Sequence, residues 1–158
     1  MIDFEQPWYP HFYYEQTAEF EVVDPPSGWP ENAKHFDKVA RIVLLNEGKY
    51  PGFVYREPHS NWSQYNSLEL DLLYEAPVPR EFIVRIHDMF HSRSPEDRFR
   101  KNVTLTPGFH TLRFEMSDIK QTASGRELDL SRIAGLGLFT LAVEGKPVLY
   151  LGDIRLIE

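Results

Sequence analysis

The chain has 158 residues, of which 42% are apolar and 14% aromatic, and it carries a net charge of −7. This length and apolar content fit one globular domain and exclude a disordered acidic chain. The acidic balance argues against nucleic acid as a partner, because phosphate contacts need a dense basic face. The lack of cysteine excludes disulfides and thiolate metal sites.

The first 16 residues contain two prolines and a cluster of rings, namely Trp8, Tyr9, Phe12, Tyr13 and Tyr14. The prolines and the missing 3.6-residue period argue against an amphipathic helix. We expect residues 1–16 to form an aromatic arm that packs along one domain, residues 17–158. We expect no signal peptide, because no basic region followed by an apolar stretch opens the chain. We also expect no membrane insertion by this chain, because the longest apolar run, 133–143, is too short to span a bilayer.

The rest of the chain alternates apolar and polar residues in short segments that Pro and Gly turns interrupt. This pattern predicts an all-β fold, an antiparallel β-sandwich with at most one short helix. The helical turn is expected to begin at Asp129 or Ser131. Segments 101–105 and 110–116 are expected to pair with each other around Thr106-Pro107-Gly108. The predicted strands, in chain order, are 18–23, 38–45, 53–56, 67–74, 81–88, 101–105, 110–116, 136–143 and 148–157.

The segment 81–88 is the most informative strand for function. Its alternation turns Phe82, Val84 and Ile86 towards the core and leaves Arg85 and His87 on the solvent side. Polar donors beside aromatic rings are what a sugar requires, hydrogen bonds for specificity and ring stacking for affinity. The candidate ligand-binding residues are Arg85, His87, Asp88, Asp97, Arg98, Phe99, Tyr55 and Trp62.

In this hypothesis Arg85 and His87 donate hydrogen bonds, Asp88 and Asp97 accept them, and Tyr55 or Phe99 stacks on the sugar. Structural alternatives exist for two of these assignments. Asp88 and Arg98 can instead pair with each other and pin the loop after the strand. Trp62, together with Tyr65, can plug the end of the sandwich.

Motifs for catalysis are weak. The segment His87-Asp88-Met89-Phe90-His91 is the nearest approach to a zinc protease motif, but a β-patterned strand precedes it, so the two histidines are not expected to converge. No Gly-x-Ser-x-Gly motif and no Gly-rich phosphate loop is present. Glu69 and Asp71 share one strand face, and we expect that face to be solvated.

Several short elements occur in the order seen in a known group of domains. They are Trp62-Ser63-Gln64-Tyr65, Arg85-Ile86-His87-Asp88, Asp97-Arg98-Phe99, Pro107-Gly108 and the segment 149–154. Over residues 17–158 the chain resembles galactose-binding-like jelly rolls, above all family 11 carbohydrate-binding modules and mitochondrial complex I assembly-factor domains. It also resembles the sugar-binding-like domains that bacteria fuse to VanZ-type membrane domains. The resemblance implies a non-catalytic module that binds an oligo- or polysaccharide. It also implies a module that belongs to a larger membrane or secreted protein at the bacterial cell envelope.

The same resemblance implies a structural calcium ion where the first and last strands meet. By position, Glu19 or Glu21 and Asp153 match its ligands, but the family often has Asp-Asp where this chain has Gly152-Asp153. Two other functions stay open. One is a protein-interaction or assembly domain that uses the aromatic arm. The other, weaker, is a polysaccharide lyase, because Arg85-Ile86-His87 partly matches the Gln-Ile-His motif of jelly-roll lyases.

Overall fold

The structure is a computed structural model that describes residues 4, 12–13, 17–56, 60–141 and 144–158. Within these residues the chain forms ten strands, one α-helix and one 3-10 turn, Glu31–Ala33. In chain order the strands and the helix are β1 (Phe12–Tyr13), β2 (Ala18–Val23), β3 (Val39–Leu44), β4 (Gly52–Arg56), β5 (Ser67–Glu75), β6 (Arg80–Asp88), β7 (Phe99–Leu105), β8 (Gly108–Glu115), α1 (Met116–Ile119), β9 (Ile133–Thr140) and β10 (Val148–Ile157).

The strands form two five-stranded sheets, and every pairing is antiparallel. The front sheet has the order β1-β4-β9-β6-β7, and the back sheet has the order β2-β3-β10-β5-β8. The predicted antiparallel β-sandwich is therefore confirmed. The predicted helical turn is misplaced, because the helix follows β8. Asp129 instead accepts hydrogen bonds from the backbone N–H and the hydroxyl of Ser131 in a turn without a helix.

The predicted pairing of segments 101–105 and 110–116 is wrong. β7 pairs with β6 in the front sheet, whereas β8 pairs with β5 in the back sheet. The turn at Thr106-Pro107 carries the chain from one sheet to the other, and Gly108 has a φ of 120° that favours glycine. The crossing lets Phe99 of β7 and Phe114 of β8 approach from opposite sheets, with ring centroids 5.9 Å apart.

The core lies between the sheets and follows the period of two. Leu68, Leu70 and Leu72 of β5 meet Phe82 and Val84 of β6, and each of these side chains is at most 1% exposed. The prediction that Phe82, Val84 and Ile86 point inward is thus correct. Burial of this apolar surface is the main force that stabilises the sandwich.

Part of the outer face of the back sheet is covered by the chain itself. Trp29, in the segment between β2 and β3, packs with Val39, Leu73 and Tyr150 in a second hydrophobic cluster. Asp71 lies on this side and is only 1% exposed, so the expectation of a solvated face is wrong for this residue. Glu19, Glu21 and Arg113 on the same face stay exposed, so this covering is partial.

The structure describes three residues of the predicted arm, and the rings of Trp8, Tyr9 and Tyr14 lie outside the described residues. Phe4 is buried in the main core. Strand β1 pairs with β4, with Phe12 opposite Tyr55 and Tyr13 opposite Val54. Among the described residues, no helix has the length and hydropathy of a membrane span.

Candidate functional site

Two neighbouring strands, β6 and β9, build the centre of the front sheet's outer face. Arg85 lies opposite Gly137, and His87 lies opposite Gly135. A Cβ atom at Gly135 would overlap the His87 ring, and one at Gly137 would overlap the Phe139 ring. The two glycines therefore let both rings lie close against the backbone of β9.

Arg85 lies over the ring of Phe139, with its guanidinium carbon 4.5 Å from the ring centroid. This cation–π contact holds a half-buried guanidinium in place on the sheet surface. Beside it is a hollow of about 450 Å3 that is lined by Tyr50, Ile83, Arg85, Pro95, Arg98, Arg100 and Phe139. Tyr50 is 47% exposed, so one ring at the edge of this hollow is available for stacking.

A second hollow lies on the other side of Arg85, with a volume of about 660 Å3. Its lining residues are Val54, Arg56, Ser60, Arg85, His87, Met89, Ile133 and Ala134. Because Arg85 lines both hollows, they lie next to each other on the outer face of the front sheet, across β4, β9, β6 and β7. We call the two hollows together the front cleft.

Burial and positive charge shape the electrostatics of the cleft. Burial lowers the pKa of Arg85 to about 10, with further contributions from Arg98 and Arg100. Burial also lowers the pKa of His87 to about 4, assisted by His91 and Arg85. At neutral pH Arg85 is therefore charged and His87 is a neutral imidazole, which offers one hydrogen-bond donor and one acceptor.

Asp88 anchors the end of β6 and does not face a ligand. Its side chain is 0% exposed and accepts hydrogen bonds from both Nη atoms of Arg126, and from the backbone N–H groups of Asp129 and Phe90. Burial alone would raise the pKa of Asp88, but these hydrogen bonds outweigh it and lower the pKa.

Asp97 is held in the same way. It accepts a hydrogen bond from Nε of Arg126 and one of 2.7 Å from the backbone N–H of Ser92. The prediction that Asp88 and Asp97 accept hydrogen bonds from a sugar is therefore corrected, because Arg126 already occupies both carboxylates. The expected pairing of Asp88 with Arg98 is wrong as well, since the partner is Arg126. Arg98 lines the front cleft instead.

Three predicted ring residues lie in the core. Trp62 is 0% exposed, and Tyr55 and Phe99 are each 6% exposed, so none of them offers a face to a sugar. In β4 the alternation turns Tyr55 inward, whereas Val54 and Arg56 line the cleft. Trp62 lies in the hydrophobic core of the sandwich, in line with the structural alternative for this residue.

Of the predicted site residues, Arg85, His87 and Arg98 lie together in the cleft. Sequence reasoning missed three others, namely Tyr50, Arg100 and Phe139. A signal for Phe139 is present in the chain, because glycines at 135 and 137 on one face of a strand indicate that bulky neighbours approach the backbone.

His87 and His91 do converge, contrary to expectation. The turn after β6 brings their ring centroids to 4.3 Å, with the planes tilted by 51°. Nδ1 of His91 accepts a hydrogen bond from the backbone N–H of Arg93. No cluster of three potential metal ligands includes either histidine within the described part of the chain.

The expected calcium ligands are not brought together. Glu19 and Glu21 are exposed on β2, and β3 separates that strand from β10. Two strand spacings amount to roughly 10 Å, so neither glutamate reaches the side chain of Asp153. Asp153 lies beside Asp71 and His35, and the ligand atoms of these three residues lie within 4.8 Å of one another.

A cation of this chain already occupies the carboxylates of that cluster. Arg155 binds Asp71, and it donates a hydrogen bond of 2.9 Å to Asp153 and one of 3.0 Å to Glu69. Burial raises the pKa of Asp153, although the hydrogen bond from Arg155 opposes that shift. A calcium ion requires several free oxygen ligands, and the carboxylates here are bound to a guanidinium. The site does not fit the metal.

Comparison with solved structures places this geometry in a known fold. An exo-β-agarase matches with a TM-score of 0.70 and 17% identity, over 98% of this chain and 24% of the agarase chain. A family 11 carbohydrate-binding module from Clostridium thermocellum, in complex with a β-1,3-1,4-mixed-linked tetrasaccharide, matches with a TM-score of 0.63 and 16% identity, over 99% of this chain and 93% of the module. A family 30 module of a Clostridium thermocellum cellulosomal cellulase matches with a TM-score of 0.54 and 16% identity, over 90% of this chain and 82% of the module.

These structural matches show the fold, a β-sandwich of the kind found in carbohydrate-binding modules. The chain spans about a quarter of the agarase and nearly the whole length of the family 11 module. No family model matches the chain, and no curated protein matches it.

Proposed function

We propose that this chain is a non-catalytic carbohydrate-binding module that holds an oligo- or polysaccharide in the front cleft. The observation that carries the proposal is the cleft itself. It combines an exposed ring, Tyr50, with the fixed polar groups of Arg85 and His87 on an open sheet face. A sugar offers C–H faces that stack on rings and hydroxyls that need donors and acceptors.

The shared fold supports this function. The family 11 module has almost the same length as this chain, and its structure contains a tetrasaccharide. In the agarase the same fold makes up about a quarter of a larger enzyme, and we propose that this chain likewise serves a larger protein.

The lining of the cleft supports binding rather than cleavage. No Asp or Glu is among the described residues that line its two hollows. Glycoside hydrolysis requires a pair of carboxylates on either side of the scissile bond. A lyase that used His87 as a base remains an alternative with a separate test.

Affinity gel electrophoresis and calorimetry against a panel of glycans test the proposal. At least one glycan should bind, and Tyr50→Ala should weaken that binding roughly tenfold, because aromatic contacts contribute about 0.5–1.5 kcal/mol beyond their buried area. Phe36→Ala is the matched control, because Phe36 is also an exposed ring but lies outside the cleft. Binding in that variant should not change.

Two results would contradict the proposal. If no glycan in a broad panel binds, the carbohydrate function is wrong. If incubation with the bound glycan releases unsaturated ends, which only β-elimination forms, and His87→Gln abolishes that release, the protein is a lyase instead of a binding module.

A further inference from the structure

The front cleft contains a concentration of positive charge that binding of a neutral sugar does not require. Arg85, Arg98 and Arg100 line the same hollow, and no acidic residue is among its described lining residues. Arg85 and Arg100 lie directly opposite each other on β6 and β7. Like charges in directly opposed cross-strand positions destabilise a sheet, so the fold maintains a repulsion at this place.

These three arginines differ from Arg126 and Arg155, each of which lies in a network of ion pairs. Arg126 binds two carboxylates and Arg155 binds three. In the described ranges, none of the ion pairs includes Arg85, Arg98 or Arg100, and the buried Nε of Arg98 has no hydrogen-bond partner there.

Neighbouring acidic residues do not neutralise the hollow. Glu96 and Glu81 line adjoining depressions beside Arg100, and neither forms an ion pair with it. Glu81 accepts a hydrogen bond from the side-chain amide of Asn102. Burial and the two neighbouring guanidiniums lower the pKa of Arg85 to about 10, which is the expected effect of uncompensated positive charge and still leaves Arg85 charged at neutral pH.

We propose that the front cleft binds an acidic saccharide and that a carboxylate or sulfate group of the sugar sits between Arg85, Arg98 and Arg100. This inference rests on the proposed function. The planar guanidinium matches the oxygens of a carboxylate or sulfate with two parallel N–H donors, and such charge-assisted bonds are about twice as strong as neutral ones. The hollow of about 450 Å3 falls within the usual range for ligand sites. The sugar chain then continues past Arg85 into the second hollow.

The net charge of −7 does not oppose this assignment at physiological salt. Charges farther away than about 8 Å are largely screened from one another at 0.15 M ionic strength. The three guanidiniums lie within one hollow and act on the ligand directly. Tyr50 and His87 lie beside the three guanidiniums and suit the C–H face and the hydroxyls of a sugar, so we expect selectivity for a saccharide over a nucleic acid.

Calorimetry on the whole chain tests the inference with four probes. The first two are a polygalacturonate, which carries carboxylates, and a sulfated galactan. The third is the same galactan after desulfation, and the fourth is a single-stranded oligonucleotide of similar charge. We expect at least one acidic glycan to bind tenfold or more tightly than the desulfated galactan, and the preferred glycan identifies the acidic group. Affinity for it should fall as the salt concentration rises.

Variants tie the effect to the cleft. Arg85→Gln, Arg98→Gln and Arg100→Gln should each lower the affinity for the acidic glycan about tenfold. Arg100→Gln should also raise the melting temperature of the ligand-free protein, because it removes the repulsion across β6 and β7, and a purely structural arginine would give the opposite result. Arg113→Gln is the matched control, since it removes the same charge from an exposed position on the back sheet.

The outcomes separate this inference from the proposed function. Equal binding of the sulfated and desulfated galactan, with no response to the three cleft variants, would overturn the acidic ligand and leave carbohydrate binding intact. Equal or tighter binding of the oligonucleotide would replace the saccharide with a phosphate polyanion. The absence of binding to every glycan, neutral or acidic, would contradict the proposed function itself.

Discussion

Arg126 donates hydrogen bonds from both Nη atoms to the carboxylate of Asp88, at 2.7 Å from Nη1 to Oδ2 and 3.0 Å from Nη2 to Oδ1. The two residues are 38 positions apart in the chain. The carboxylate is fully buried, whereas the guanidinium is 33% exposed. Through its further bond to Asp97, Arg126 fixes both ends of the loop that leads from β6 to Arg98, and thereby one wall of the front cleft.

Removal of Arg126 should therefore cost stability. We expect Arg126→Ala to lower the free energy of unfolding by about 3–5 kcal/mol, because it leaves a buried carboxylate without its partner. Arg126→Lys keeps the charge but loses the two parallel N–H donors of the guanidinium. Its free energy of unfolding should lie between those of Arg126→Ala and the unchanged protein. Urea denaturation measures both. The exposed pair of Arg113 and Glu115 supplies the control, because Arg113→Ala should cost only about 0–1 kcal/mol. A loss for Arg126→Ala as small as that of the control would show that Arg126 does not anchor the loop.

The stability of the protein should also depend on the protonation of His87. The pKa of His87 is lowered from 6.5 to about 4 in the folded state, so the unfolded chain binds more protons between these values. This contribution is present in full above pH 6.5 and is lost as the pH falls towards 4. Because solvent screens the half-buried ring, we expect a loss of about 1–2 kcal/mol, less than 1.4 kcal/mol per pKa unit would give. The lowered pKa of Asp88 acts in a separate window, below the usual carboxyl range near 4.

Denaturation curves between pH 7 and pH 4 measure this dependence. His87→Gln should flatten most of the decline, while His110→Gln on the back sheet should keep it. His91 also has a lowered pKa, from burial first, and accounts for the slope that remains. A titration of the His87 ring by NMR with a midpoint near 6.5 would contradict the burial on which this prediction depends.

Gly135→Ala should push the His87 ring away from β9. The new Cβ would overlap the ring, so His87 must turn towards solvent and its pKa should rise from about 4 towards 6.5. Overpacking of this kind costs about 1–3 kcal/mol of stability. Gly137→Ala is the matched control on the same strand face, because its Cβ meets Phe139 and not His87. In an NMR titration, Gly135→Ala should therefore raise the pKa of His87. Gly137→Ala should disturb the contact of Arg85 with Phe139 and leave the pKa of His87 unchanged. Unchanged His87 signals in Gly135→Ala would disprove the close approach.

The sequence predicted local structure well where apolar and polar residues alternate regularly along a strand. Residues 81–88 show this best, since Phe82, Val84 and Ile86 are buried and Arg85 and His87 lie outside, half-buried in the cleft. Alternation fixes which side of a strand a residue takes, but not which strand lies next to it. The predicted pairing of 101–105 with 110–116 was wrong for this reason. Each segment has one apolar face, and that face can pack against the core from either sheet.

The candidate site was predictable only in part. Arg85, His87 and Arg98 follow from the strand pattern and the loop after it. The burial of Tyr55, Phe99 and Trp62 does not, because a ring in an aromatic-rich chain can serve the core or the surface equally well. Partners far apart in the chain were also missed. Arg126 and Arg155 reach carboxylates 38 and 84 positions away, and no local pattern indicates such contacts.

Calcium should have no effect on the unmodified protein. Arg155 already binds the carboxylates of Asp71 and Asp153, so neither added calcium nor a chelator should shift the melting temperature. Arg155→Gln should behave differently. It leaves carboxylates that are 1% and 4% exposed without a cation, which should cost about 3–5 kcal/mol. Calcium should then restore part of the loss, since His35, Asp71 and Asp153 offer ligand atoms within 4.8 Å of one another. A melting temperature of the unmodified protein that falls with chelator would show that a metal ion and Arg155 share the site.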